Sequence, residues 1–144
     1  MEFFGKFDHT IDDKGRLVLP AAYRSAFVDG GFLTFMGASA GLFTEDEFEK
    51  YRRKITLSGV FTRKDLQQLM ALTTPLQPDA QHRVAISPNL RERVSLGREV
   101  AVVGQGSHVE IFPKDVWDAR EAESREADES GRDLTTKFDT LDFL

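Results

Sequence analysis

Apolar and polar positions along the chain trace one order of elements twice. In the first half a polar Asp13-Lys14-Gly15 reversal precedes the apolar run Leu17-Val18-Leu19, which predicts a tight turn and a strand ended by Pro20. Tyr23 and Phe27, four apart, mark one face of a short helix. Phe32 to Met36 reads as a strand, and the glycine-bracketed stretch Gly37 to Gly41 as the turn of a hairpin. Thr44-Glu45-Asp46-Glu47 fits a capping box opening a helix with Phe48, Tyr51 and Ile55 on one face. A second helix starts near Thr62 and places Leu66, Leu69 and Met70 together before Pro75 and Pro78. The second half repeats the scheme. Ser87-Pro88 is an N-cap with a first-turn proline, Leu90 and Val94 share a helix face, and Val100 to Val103 leads into a Gly104 to Gly106 turn. Beyond Trp117 a charged helix runs to about Arg125, after which the apolar pattern is lost and no regular structure is expected.

The two halves align residue by residue. Asp12-Asp13-Lys14-Gly15-Arg16-Leu17-Val18-Leu19-Pro20 returns as Asp79-Ala80-Gln81-His82-Arg83-Val84-Ala85-Ile86-Ser87, an offset of 67 that also relates Arg24 to Arg91. The offset becomes 69 for Phe43 and Phe112 and for Phe48 and Trp117, so two residues were gained between elements, where length changes cost little.

Composition then narrows the function. The chain has 144 residues, 40% of them hydrophobic, enough for an ordinary core. It lacks cysteine and has three scattered histidines, which argues against disulfides and metal sites. No stretch reaches the length of a membrane span and the first residues are unlike a secretory leader, so a cytoplasmic protein is expected. The net charge of -5 belongs to the end of the chain. Residues 1 to 117 hold 15 basic and 15 acidic side chains, whereas 118 to 144 hold 4 and 9. A neutral body leaves room for a local basic face. No motif sets a nucleophile beside a base, and an enzyme is not expected.

The motif at Asp12 to Pro20, followed by Arg24, resembles the DNA-binding repeat of the SpoVT-AbrB superfamily, and two copies in a chain of this length resemble the MraZ family over about residues 3 to 120. The second copy departs from the motif at Gln81, His82 and Ser87. The resemblance implies an α+β, mainly β fold: a swapped-hairpin barrel of two pseudo-symmetric repeats with short flanking helices. The copies span 3–55 and 75–120, joined by a helical linker at 56–74 and followed by an acidic tail at 121–144. It also implies a ring-like homo-oligomer on double-stranded promoter DNA with direct repeats. The implied protein is nucleoid-associated, represses its own promoter at the division and cell-wall gene cluster, and needs no cofactor.

The candidate DNA-binding residues are Lys14, Arg16, Gln81, Arg83, Arg24 and Arg91. Arg16 and Arg83 sit beside a reversal, where a guanidinium can reach a guanine edge or a phosphate, or can pair with Asp12 or Asp79 four positions earlier. Lys14 fits a phosphate and Gln81 either role, while Arg24 and Arg91 suit structural pairing and DNA contact equally. Lys50, Arg52, Arg53, Lys54, Arg63 and Lys64 form the densest basic region and read as a solvated helix face. Gly104-Gln105-Gly106 reads as a hairpin, not a phosphate loop. The competing function is that of an antitoxin-like interaction protein, whose acidic tail ending Phe138-Asp139-Thr140-Leu141-Asp142-Phe143-Leu144 would wrap a partner.

Overall fold

The two halves fold alike and lend each other strands. A computed structural model describes residues 2–141; Asp142, Phe143 and Leu144 of the proposed partner-binding end lie outside the described residues. The first copy supplies β1 (Lys6–Thr10), β2 (Arg16–Val18), a 3-10 helix (Ala21–Phe27), β3 (Gly31–Phe35), β4 (Ala40–Phe43) and α1 (Glu45–Leu57). After α2 (Arg63–Leu72), the second supplies β5 (Thr74–Leu76), β6 (Arg83–Ala85), α3 (Pro88–Val94), β7 (Glu99–Gly104), β8 (Val109–Pro113) and α4 (Lys114–Glu123). In the acidic segment, expected to lack regular structure, α5 spans Leu134–Phe138, capped by Asp133 accepting from the Thr136 N–H. Described residues up to Pro113 form one compact unit and those from Lys114 a second.

Six antiparallel strands lie in the order β1-β7-β8-β4-β3-β5. Exchanging each strand for its counterpart reverses that order, so the sheet has an approximate twofold through Gly41↔Glu110. Each hairpin is flanked by a strand of the other copy: Lys6↔Val103 to Thr10↔Glu99 on one side, Gly31↔Leu76 to Leu33↔Thr74 on the other. Pro75 is tolerated because β5 is an edge. This is the interlocking expected of a swapped-hairpin fold. Hydrogen bonds do not close the sheet; β2 and β6 form a separate two-stranded ribbon instead.

The main core draws on both copies. Leu17, Leu19, Tyr23, Phe27 and Leu33 of the first are buried with Val84, Ile86, Leu90, Val94 and Val100 of the second. Each such side chain contributes roughly 1.5–3 kcal/mol against solvent exposure, and neither copy could bury its set alone. Phe48 of α1 stacks on Phe32 of β3 at 4.5 Å; of the face expected on α2, Leu69 is buried and Leu66 half-buried but Met70 is exposed, and Leu72, three residues beyond Leu69, is buried in its place. Ser87 caps α3 through the Leu90 N–H. The capping box expected at Thr44 is not formed: Thr44 makes no side-chain cap, and α1 begins with three acidic residues suited to the helix dipole. The reciprocal box is at α2, between Thr62 and Asp65. Gly104-Gln105-Gly106 joins β7 to β8, and a Cβ at Gly104 would lie 2.5 Å from the Phe3 backbone. No described helix is long and apolar enough to cross a membrane.

Candidate nucleic-acid interface

The two Asp-to-Arg loops are built by the same bonds although their sequences differ. The Asp12 carbonyl accepts from the Gly15 N–H at 3.0 Å and closes the reversal. One Asp12 carboxylate oxygen accepts the Lys14 and Arg16 N–H groups at 2.9 Å each, and the other accepts from Arg16 Nε at 2.8 Å. In the second copy the Asp79 carbonyl accepts from His82, and its carboxylate takes the Gln81 and Arg83 N–H groups at 2.9 Å and Arg83 Nε at 2.7 Å. An aspartate that takes the next two available amides fixes the loop without help from the residues between. Replacing Lys14 by Gln81 and Gly15 by His82 therefore leaves the loop shape intact. His82 takes the left-handed conformation, φ +62°, where Gly15 has +76°.

The aspartates stay ionised well into acid. The Arg16 backbone N–H does most to hold the Asp12 carboxyl below its usual range; partial burial opposes it, and the Arg16 side chain adds to it. Asp79 is lowered by the same groups around Arg83. Both pairs are part-exposed, with Arg16 and Arg83 each retaining 29% side-chain exposure, so they fix geometry more than they stabilise the fold.

Pairing of β2 with β6 brings the loops onto one ribbon. The register is Arg16↔Ala85, Leu17↔Val84 and Val18↔Arg83. Leu17 and Val84 are fully buried beneath it, and by strand alternation Arg16, Val18, Arg83 and Ala85 share the outer face. The copies are cross-braced, since Leu19 N–H donates to the His82 carbonyl and Ile86 N–H to the Gly15 carbonyl, both at 2.9 Å. Arg16 and Arg83 thus do pair with aspartate; the pairing occupies Nε and turns the rest of each guanidinium into a fixed fork. Arg16 keeps both terminal nitrogens without an acceptor among the described residues, while Arg83 also donates to Gln81 Oε1 at 3.2 Å.

Arg24 and Arg91 do structural work from the adjoining helices. Their Nε atoms donate to the Leu19 and Ile86 carbonyls at 3.0 Å. The Arg91 guanidinium lies so close to Gly15 that a Cβ there would come within 2.7 Å of it. Lys14 and Gln81 are exposed at the loop tips. The six candidates thus belong to one ribbon and its supports. Val18 and Ala85, not singled out by charge or motif, join them; period-two alternation was the signal that could have found them. Among the basic residues of α1, Lys50 pairs with Glu47 and Arg52 with Glu49, as on a solvated face.

A second concavity, about 830 Å³, opens elsewhere, walled by Phe35, Phe43, Tyr51, Phe61 and Leu69. Tyr51 donates to the Phe35 carbonyl at 2.7 Å, and burial, then the Glu110 carboxylate, pushes its phenol up to about 12. Val60, on the α1–α2 connection, is an exposed apolar residue in the groove wall, and Leu57, the last residue of α1, is exposed as well. Among the described residues no cluster of three metal-ligating side chains occurs.

Comparison with known proteins gives one consistent result. The family model described as "MraZ protein, putative antitoxin-like" matches residues 3–67 and again 69–139. The chain is 36% identical over 119 residues to the transcriptional regulator MraZ of Paenarthrobacter aurescens, covering 80% of this chain and 83% of that one. It is 36% identical over 122 residues to that of Thermomicrobium roseum, covering 82% and 86%. To that of Mycolicibacterium smegmatis it is 34% identical over 119 residues, covering 80% and 83%.

Proposed function

Because the chain belongs to the MraZ family, whose named relatives are transcriptional regulators, we propose that it is a DNA-binding regulator that seats the β2–β6 ribbon in the major groove. The observation that carries this reading is the pair of identically built loops on one exposed face, each presenting an arginine fork fixed by an aspartate. A two-stranded ribbon fits the major groove, and an arginine fork matches guanine O6 and N7. Arg16 and Arg83 read base edges. Lys14 and Gln81 reach phosphate or base from the loop tips, and Arg24 and Arg91 brace the loops while their terminal nitrogens take phosphate oxygens. The loops carry little net charge because aspartates accompany the arginines, so directed donors, more than a basic field, supply the recognition.

In this reading the protein represses its own promoter at the division and cell-wall gene cluster and works in the cytoplasm, on the nucleoid. Copies join head to tail into a ring; the concave apolar groove, with the exposed Val60 in its wall, is the apolar surface available for such a contact. The operator is a set of direct repeats. The test is binding of duplexes selected by the protein from random sequence. Folded Arg16→Ala should lose roughly 1–3 kcal/mol per base contact, multiplied over engaged subunits. Arg83→Ala should lose less, since Gln81 already takes part of its fork. Near-normal affinity of the Arg16 variant would defeat the assignment.

A further inference from the structure

Between the two arginines the ribbon's outer face is apolar. Val18 stands opposite Arg83 and Ala85 opposite Arg16, so each guanidinium has a hydrocarbon neighbour across the ribbon. Val18 is 38% exposed, while the residue before it, Leu17, is fully buried; the isopropyl group therefore projects on the arginine side. A valine suits a strand in either orientation, but here it lies on an exposed face that it shares with two arginines and one smaller apolar residue, Ala85. Strand and partner are both three residues long, so this side chain cannot lie far from whatever the arginines bind.

The major groove offers one apolar feature, the C5-methyl group of thymine. Resting on the reading that the ribbon enters that groove, we propose that Val18 packs against a thymine methyl beside the base read by Arg83. Ala85, its counterpart in the second copy, makes a shorter and weaker contact beside the base read by Arg16. Val18 is thus a specificity-determining residue that adds thymine to a box otherwise fixed by arginine. The two copies differ at this position by two methyl groups, so the contact also gives the box a direction: its thymine requirement is strict on one side and relaxed on the other.

The test uses the full chain and the box selected from random duplex DNA. Each thymine is replaced in turn by deoxyuridine, which deletes the methyl and leaves pairing intact. One replacement should weaken wild-type binding roughly fourfold, the value of about one buried methyl group. Val18→Ala should lose a similar factor on the thymine box and nothing further on the deoxyuridine box, with melting temperature reported alongside. Val18→Thr keeps the branched strand-forming shape, exchanges one methyl for a hydroxyl, and should show an intermediate thymine preference. A flat deoxyuridine series with wild-type protein, or a Val18→Ala loss equal on both boxes, overturns the methyl contact while leaving arginine readout standing. Failure to select any box overturns the DNA-binding reading itself.

Discussion

Gly15 and His82 occupy equivalent places in their loops and share a left-handed backbone, yet they should answer substitution in opposite ways. His82 bears a side chain where that conformation costs roughly 1–2 kcal/mol. His82→Gly relieves it but costs about 0.5–1 kcal/mol in chain entropy, for a net gain of up to about 1.5 kcal/mol. Gly15→Ala acquires the strain and also pushes a methyl into the Arg91 guanidinium, loosening its bond to the Ile86 carbonyl. That change should cost about 2 kcal/mol. Calorimetric melting of both variants checks the pair, and a stabilised Gly15→Ala would contradict the loop geometry. The loop residues were legible in the sequence because Asp12, Gly15 and Arg16 each have a local reason for their type. What each arginine does was not legible, because spacing cannot separate an aspartate-paired guanidinium from a base-reading one. The structure shows that Nε takes the first task at Arg16 and leaves its terminal nitrogens without an acceptor among the described residues.

At the scale of the element, the brace from Asp12 and Asp79 sets how the ribbon responds to acid. Both carboxyls titrate below their ordinary value of 3.8 in the folded chain, so the unfolded chain binds more protons as pH enters that range. Their contribution is therefore fully present above 3.8 and is lost as pH falls through the lower, folded value. Carboxyl titration by NMR should place both midpoints below that of a free aspartate. In Arg16→Ala the Asp12 midpoint should rise only part of the way, because the backbone N–H that lowers it most remains; full return to 3.8 would show that the side chain dominates. Turns, caps and helix faces were readable for the same local reason, as at Ser87-Pro88 and at Leu90 with Val94. The false expectation at Thr44 arose because the capping-box pattern was met in sequence but its acidic side chains serve the helix dipole instead. The pairing of β1 with β7 and of β5 with β3 lay beyond local reading: alternation fixes which face of a strand is buried but not which strand lies beside it.

For the whole molecule, the separation of charge and the difference between copies are the informative features, and both are legible in the sequence. Residues 126 to 144 hold six acidic and two basic side chains. Their removal should leave the unit ending at Pro113 folded and strengthen DNA binding at low salt, an effect that fades once the screening length falls to about 10 Å. Melting and binding titrations at two salt concentrations check this; a truncated protein that precipitates would show that Phe138 and Leu141 are needed for structure. In the proposed reading the difference between copies should govern the operator. Lys14, Gly15 and Val18 of one copy correspond to Gln81, His82 and Ala85 of the other, so the ribbon has only an approximate twofold and a single protomer cannot match a palindrome. If copies join head to tail, every ribbon meets the duplex in the same orientation, and the duplex must offer the same groove face each time, about every 10 to 10.5 base pairs. Binding should then be cooperative in the number of boxes. Inserting about 5 base pairs between two boxes turns one to the opposite side and should weaken binding sharply, whereas inserting about 10 restores the face and should be better tolerated. Quantitative footprinting on the three spacings decides the matter: equal effects of both insertions, or protection of one isolated inverted repeat, would rule out the head-to-tail arrangement even with DNA binding intact.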